Sequence, residues 1–277
     1  MHLKEWGNKM QISREIIDQH IHSEFSPDSD SSLEDIVKHA ISLDKAAVVT
    51  TDHFEYDCKY FKQDVLIDMD RYHNQIQLLS QKYPIDIRKG IEVGYRKDYK
   101  LEINRYLMNH SFDVVLLSAH NDGVLDFSES LYHAYPLHYV LRHYFEHVRD
   151  AVDQMNNYDI VTHLDYVVRY SKHIITEDDY LACSDVISDI IQLMIEKNKV
   201  LELNTTGLYR QGWIHPHPFI LKLYVTMGGT LVSLGSDAHQ ISKIEQGFNE
   251  ALQLLQTVNI REIVQFKNRQ AYTVSID

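Results

Sequence analysis

Nine side chains able to bind a metal stand at or near the ends of short apolar runs: His20, His22, Asp28, His53, Glu92, His120, His163, Asp237 and His239. Five of those runs read AAVVTTDH, IDIRKGIE, FDVVLLSAH, YDIVTH and GTLVSLGSDAH, so strand after strand finishes on histidine, glutamate or Asp-x-His. Nitrogen and oxygen donors without a thiolate suit zinc, manganese or iron. A single structural zinc needs four ligands, whereas nine are enough for three divalent ions at three protein ligands each, with positions left for water or substrate. The expected chemistry is that of a site with several metal ions whose open positions take water or substrate.

Each residue also has a plainer explanation. In His20-Ile21-His22 the two-residue period of a strand turns both imidazoles to one side and Ile21 to the other, although an exposed strand edge gives the same string. Asp28, in SEFSPDSDSS, follows Pro27 in a turn and equally fits a turn or helix-cap aspartate. His53 ends a β-branched run, where Asp52 could orient an imidazole as acceptor; a loop histidine is the alternative. Glu92 at a strand end would cost several kcal/mol inside a barrel unless paired or bound to cations, and bridging two ions would satisfy both of its oxygens. His120 and His163 close strongly apolar runs, where a lone histidine is more often a core or solvated residue. Asp237-Ala238-His239 repeats the two-residue logic, and barrel closure would bring it beside His20-Ile21-His22.

Two arginines lie just past strand ends, Arg169 in THLDYVVRY and Arg210 in LELNTTGLYR. A guanidinium binds phosphate bidentately and keeps its charge, so the pair beside a metal cluster points to a phosphoryl group, with surface salt bridges as the alternative. His143 and His147 stand one helical turn apart in HYFEH, which is not HExxH, and read as a solvated helix face. His215 and His217 in WIHPHPF read as a turn into a helix. Phe25, Tyr56, Tyr132 and Tyr209 are candidates to line a leaving-group pocket.

Apolar runs alternate with amphipathic segments along the whole chain, with no linker or internal repeat, which argues for parallel strands joined by helices in one domain spanning residues 1–277. The pattern predicts strands near 15–21, 46–51, 85–92, 112–118, 159–163, 199–204 and 230–235. Helices are predicted over 32–43, 69–82, 98–109, 136–156, 177–197, 216–227 and 241–256. Seven inner strands, one short of the eightfold barrel, give an α/β fold that resembles a TIM barrel, a (β/α)7 arrangement with the metal site at the C-terminal rim of the strands. Residues 54–68 and 121–135 interrupt the alternation after His53 and His120 and are expected to wall or cover the site, and the last segment, REIVQFKNRQAYTVSI, reads as an extended closing tail.

The 277-residue chain is 44% hydrophobic but has no apolar stretch near the roughly 20 residues that span a bilayer. Its N-terminus lacks an export signal, so a soluble, cytoplasmic protein without membrane partners is expected. Cys58 and Cys183 fit neither a disulfide framework nor a thiolate site. A formal charge of −13 opposes tight nucleic-acid binding and favours a small substrate.

Together, DQHIHSEFSPDSD, VTTDHFE, KGIEVGY, LLSAHND, VTHLDYVVRY, LELNTTGLYR and LGSDAHQ resemble the polymerase and histidinol phosphatase (PHP) superfamily of metallohydrolases, and within it the histidinol-phosphate phosphatase branch, over residues 18–240. The resemblance implies a seven-stranded distorted barrel, a trinuclear site on the nine residues above with zinc first and manganese or iron as alternatives, and substrate phosphate held by Arg169 and Arg210. The branch often reads PHG after its HxH; this chain has PDS, which places Asp28 at that ligand position. The expected reaction is hydrolysis of L-histidinol phosphate to L-histidinol and phosphate, a step of histidine biosynthesis, by a metal-bridging hydroxide, with Asp237 or His239 as the candidate for proton handling. Alternatives are a PHP phosphoesterase acting on another small phosphoester or a nucleotide, and a polymerase-associated or non-catalytic PHP module. The chain ends without a polymerase region, and its ligand set is full. An amidohydrolase-type enzyme would use a carboxylated lysine at a strand end, and these strands end on none.

Overall fold

The computed structural model describes residues 12–128 and 135–277. Its inner strands are parallel. The second is in two pieces, β1 (Ala47–Thr50) and β2 (His53–Cys58). Both run along β4 (Asp86–Gly94) in one register, Ala47 opposite Asp86 and His53 opposite Glu92. β4 is followed across the sheet by β5 (Val114–Ser118), β6 (Ile160–Val161), β7 (Val200–Asn204) and β8 (Val232–Gly235). Past Glu55, β2 turns back as a hairpin with β3 (Gln63–Val65), so the first interruption builds a wall beside the strand ends.

Residues 19–22 stand between the two ends of this sheet. On one side the N–H of Gln19 bonds the Leu234 carbonyl and that of His22 the Ala238 carbonyl, while the Asp237 N–H reaches the His20 carbonyl at 2.8 Å. On the other, the Thr51 N–H donates to the Ile21 carbonyl at 2.7 Å. The expected first strand is therefore an extended segment with a single bridge, Ile21 to Ala238, rather than a regular strand. The Asp18 carboxylate captures the N–H groups of His20 and Ser236, which a continuous ladder would have used.

Helices cover the outside: α1 (Leu33–Ser42), α2 (Met69–Lys82), α3 (Lys100–Asn109), α4 (Leu137–Gln154), α5 (Glu177–Leu181), α6 (Ser184–Glu196), α7 (Thr206–Arg210), α8 (Pro218–Thr226) and α9 (Phe248–Thr257). α1 shows why they form. Ser32 caps it by accepting the Asp35 N–H, Glu34 and Asp35 complement its N-terminal dipole, and Leu33, Ile36, Val37 and Ala40 make one buried stripe. In α4 the stripe is Val140, Leu141, Tyr144, Phe145, Val148, Ala151 and Val152, all buried.

Two predicted helices are broken. The 177–197 stretch divides between α5 and α6 just after Tyr180, whose buried hydroxyl is tied to Asp165 at 2.7 Å. The 241–256 stretch begins as a 3-10 turn at Ile241–Lys243 and becomes helical only after Gly247, at φ 87°. A Cβ there would also press on Thr205 at 3.0 Å.

Strand alternation sorts the side chains. Val115, Leu117, Leu201 and Leu203 face the helices, while Val49, Val114, Leu116, Ile160 and Val200 fill the lower interior. The tail forms an antiparallel hairpin, β9 (Glu262–Lys267) with β10 (Gln270–Ser275), and its Val264 and Phe266 join that lower cluster as a plug. Each such buried side chain stabilises the fold by about 1.5–3 kcal/mol. Cys58 and Cys183 are both free and buried.

Candidate active site

The upper interior of the same strands is polar. Glu92 projects inward from β4, where it is 1% exposed, and becomes the hub of the site. Its Oε2 lies 3.5 Å from both His20 Nε2 and His22 Nε2 and 2.8 Å from His53 Nδ1. Its Oε1 lies 3.4 Å from His120 Nε2 and 3.1 Å from His163 Nε2 and accepts the Ser118 hydroxyl. Asp237 Oδ1 approaches His22 Nε2 at 3.3 Å and His20 Nε2 at 3.7 Å. Asp28 Oδ2 faces His239 Nε2 at 3.2 Å and His53 Nε2 at 3.5 Å. All nine strand-end residues thus meet in one cleft.

Three overlapping groups have ligand atoms close enough to share an ion: His20, His22 and Glu92; His53, Glu92 and His120; and His22, His53 and His239. The first fits a tetrahedral cation. Donors about 2.0–2.1 Å from zinc must lie roughly 3.4 Å from one another. The two Nε2 atoms of His20 and His22 are 3.1 Å apart, and their distances to Glu92 and Asp237 run from 3.3 to 3.7 Å. Glu92 Oε2 is also buried and, although 2.8 Å from His53 Nδ1, is not aligned with that ring for a hydrogen bond.

Other groups fix the rings from behind. Glu202 Oε1 meets His20 Nδ1 at 2.6 Å, and Glu55 Oε1 meets His120 Nδ1 at 2.6 Å. The Ser26 hydroxyl donates to Asp52 at 2.8 Å and leaves its lone pair for His22 Nδ1 at 3.0 Å. The imidazole that Asp52 orients is that of His22, through Ser26. In each case the Nδ1 proton goes to the partner and Nε2 faces the cleft.

Burial disfavours charge here, and the neighbours override it. The His20 imidazole loses by desolvation but is held well above the ordinary histidine range by Glu202, Glu92 and Asp237. His120, equally buried, is pushed up to about 10 by Glu55 and Glu92. Burial and the adjacent His239 and His53 drive His22 well below it. Glu92 overcomes its burial through His20, His53 and His120 and stays far below the carboxylate range. Asp237 does so chiefly through Arg169, whose Nη1 sits 2.9 Å from Asp237 Oδ2.

Asp237 adopts φ 53°, a left-handed conformation that costs a non-glycine residue about 1–3 kcal/mol. A backbone kink, not the strand alternation expected of Asp237-Ala238-His239, brings both side chains to the site. Arg169 is 93% buried along its side chain and is held by Asp237 and by Asn204 Oδ1 at 3.5 Å. Arg210 ends α7, and its side chain lies outside the described residues.

The cleft holds about 550 Å³, and its aromatic lining comes from Tyr60, Phe61, Tyr166, Tyr170 and Tyr209. Of the four aromatics expected there, Tyr209 is in place. Phe25 packs instead on Tyr72, and Tyr56 stacks on Tyr99. Tyr132 lies outside the described residues. The face carrying His143 and His147 is not solvated as expected: His143 bonds Asp122 at 2.6 Å, and His147 packs between Tyr95 and Phe127, where burial lowers it to about 4. His217 does cap α8, but His215 is fully buried with Nδ1 2.6 Å from Asp165.

A family model described as PHP domain matches residues 18–206. The chain belongs to the PHP domain family. This PHP chain is 29% identical over 261 residues to a probable histidinol-phosphatase of Thermotoga maritima, covering 94% of this chain and 100% of that protein. It is 26% identical to the histidinol-phosphatase of Lactococcus lactis over 90% of this chain and 94% of that one. Among solved structures, the L. lactis histidinol phosphate phosphatase complexed with zinc, L-histidinol and phosphate superposes with a TM-score of 0.83 at 25% identity, over 93% of this chain and 99% of that chain. A chain from Listeria monocytogenes, 20% identical with a TM-score of 0.74, supports the fold over 84% of this chain and 98% of its own.

Proposed function

We propose that this chain is a metal-dependent phosphomonoesterase that hydrolyses L-histidinol phosphate to L-histidinol and phosphate. The observation that carries it is the meeting of three overlapping ligand groups with the Arg169–Asp237 pair in a single cleft. The relative with zinc, L-histidinol and phosphate bound supports the substrate.

In this reading, His20, His22, Asp28, His53, Glu92, His120, His163, Asp237 and His239 hold three divalent ions, zinc foremost. Asp28 sits between His239 and His53, as a ligand at that position would. Bound ions of this kind lower the pKa of water to about 7 and polarise phosphoryl oxygens. The protein supplies the rest. Arg169 uses Nη1 and Nη2 on Asp237 and Asn204, and its buried Nε lacks a partner among the described residues, so a phosphoryl oxygen would complete its set. Arg210 is the second phosphate cation. Asp237 is kept ionised by Arg169 and so stays an anionic ligand, and His239, beside it at 3.6 Å, handles the proton. Tyrosine faces with the Asp126 and Glu55 carboxylates suit a leaving group that carries a flat ring and an amine.

The test is phosphate release by zinc-loaded protein from L-histidinol phosphate, set against nucleotides, 3′,5′-bisphosphates and sugar phosphates. Preference for histidinol phosphate, abolished by a chelator, is expected. Release from none of them overturns the proposal.

A further inference from the structure

Among the buried carboxylates behind the proposed ligands, Glu202 reaches further than the imidazole it holds. Glu202 projects inward from β7 with the same alternation that points Glu92 inward from β4, and it is 1% exposed. Every contact it makes leads into the site. Oε1 takes His20 Nδ1 at 2.6 Å. Oε2 accepts the backbone N–H of His163 at 2.7 Å and the Asn204 side-chain amide at 3.2 Å. The same Asn204 amide presents its oxygen to Arg169 Nη2 at 3.5 Å and to the Thr206 N–H at 3.1 Å. Arg169 in turn reaches Asp237, whose Oδ1 returns to within 3.7 Å of His20 Nε2. The contacts close into a ring running His20, Glu202, Asn204, Arg169, Asp237 and back to His20.

A glycine keeps this ring open to the carboxylate. A Cβ on Gly235 of β8 would stand 2.2 Å from Glu202 Oε1 and 2.7 Å from His20 Cβ. β8 therefore has to be bare at that point for a side chain from β7 to pass beneath it and reach the segment beyond.

We propose that Glu202 is a positioning residue that couples His20 at the metal centre to Arg169 at the phosphate position, through Asn204 on one side and Gly235 clearance on the other. The proposal rests on the reading of His20 as a metal ligand and Arg169 as a phosphate contact. Two acceptor oxygens fully engaged by N–H donors allow one arrangement: His20 donates from Nδ1 and keeps the Nε2 lone pair for a cation, while the Asn204 amide presents its oxygen, not its nitrogen, to the guanidinium. Replacing either oxygen by an amide nitrogen puts a donor against a donor. The disturbance then has to appear at His20, at Asn204 and Arg169, or at both.

The experiment measures zinc affinity by competition with a chromogenic chelator, and inorganic phosphate affinity by calorimetry at saturating zinc, for wild type, Glu202→Gln, Asn204→Ala and the double variant. The wild type is expected to bind both zinc and phosphate; failure to do so overturns the site reading and the coupling with it. Glu202→Gln is expected to weaken zinc about 10- to 100-fold, the usual effect of losing an acceptor behind a ligating imidazole. It is also expected to weaken phosphate binding several-fold even when zinc is restored, which a role confined to His20 would not do. Asn204→Ala is expected to weaken phosphate by a similar factor while changing zinc affinity less than Glu202→Gln does. The double variant should then bind phosphate no worse than the weaker single variant. Wild-type phosphate affinity in zinc-saturated Glu202→Gln, or additive losses in the double variant, overturns the coupling while leaving the site reading intact. If Glu202→Gln does not fold, Asn204→Ala alone decides: unchanged phosphate affinity overturns the proposal.

Discussion

The two ends of the barrel are built by the same strands on opposite principles. At the lower end Val49, Val114, Leu116, Ile160 and Val200 meet Val264 and Phe266 of the closing hairpin, all at most 5% exposed. At the upper end the inward positions are Ser118, two residues past Leu116, Glu202 and Asn204, two and four residues past Val200, and Glu92 of β4, equally buried. The lower end is stabilised by removing apolar surface from water and asks for no partner. The upper end holds carboxylates and imidazoles that burial penalises, and their mutual pairing compensates only in part: Glu92 Oε2 and Arg169 Nε keep no hydrogen-bond partner among the described residues. A protein that needed only stability would carry the lower pattern throughout.

The sharpest way to separate the ends is to remove the hub. Glu92→Ala takes a donor from two of the three ligand groups. Metal stabilisation worth several kcal/mol, at about 1.4 kcal/mol per tenfold, sets the loss of kcat/KM at on the order of 10³-fold or more. Phosphate-release kinetics across a zinc titration check it, and activity restored by added zinc would break the contrast. The complementary change, Phe266→Ala, should cost about 3–5 kcal/mol of stability while kcat of the folded fraction stays unchanged. Urea unfolding together with steady-state assays reads both, and a lowered kcat would show that the plug reaches the site.

Arg169→Ala is expected to lower kcat/KM about 10²-fold, comparable to losing one preorganised donor. Unaltered kinetics would remove its phosphate role. The smallest effect is on pH dependence. In metal-stripped protein His120, raised from 6.5 to about 10, contributes stability that is complete below 6.5 and is lost as pH rises through about 10. Melting temperatures of chelated protein should therefore decline from neutral pH to pH 10. Zinc-loaded protein should instead lose stability on the acid side, as protons displace metal from the imidazoles. Parallel profiles with and without zinc would contradict this difference between the ends.

Much of the upper end was legible because it follows from short-range geometry. An apolar run closing on His53, Glu92, His120 or His163 is a strand delivering a polar group to its end, and the alternation that turns Glu92 inward needs only its immediate neighbours. Glu202 in VLELN carries the same signal, a carboxylate inside an otherwise apolar run, and could have been found by the argument that found Glu92. His215 gives no such cue, since the prolines that follow it in WIHPHPF are explained by a turn, and its partner Asp165 lies 50 residues away.

The sequence by itself determined the donor types, their delivery to one rim, the alternation of strand and helix and the membership that follows from the motifs. Those properties depend on periods of two and about 3.6 residues, set by the backbone. Tertiary structure decided which donors come within reach of a common point, the left-handed turn at Asp237, the pairing of Arg169 with Asp237, and the reach of Glu202 under Gly235 to His20, 182 positions away. Such contacts exist because the extended segment at residues 19–22 joins the first and last strands, and no local pattern encodes the distances that closure sets.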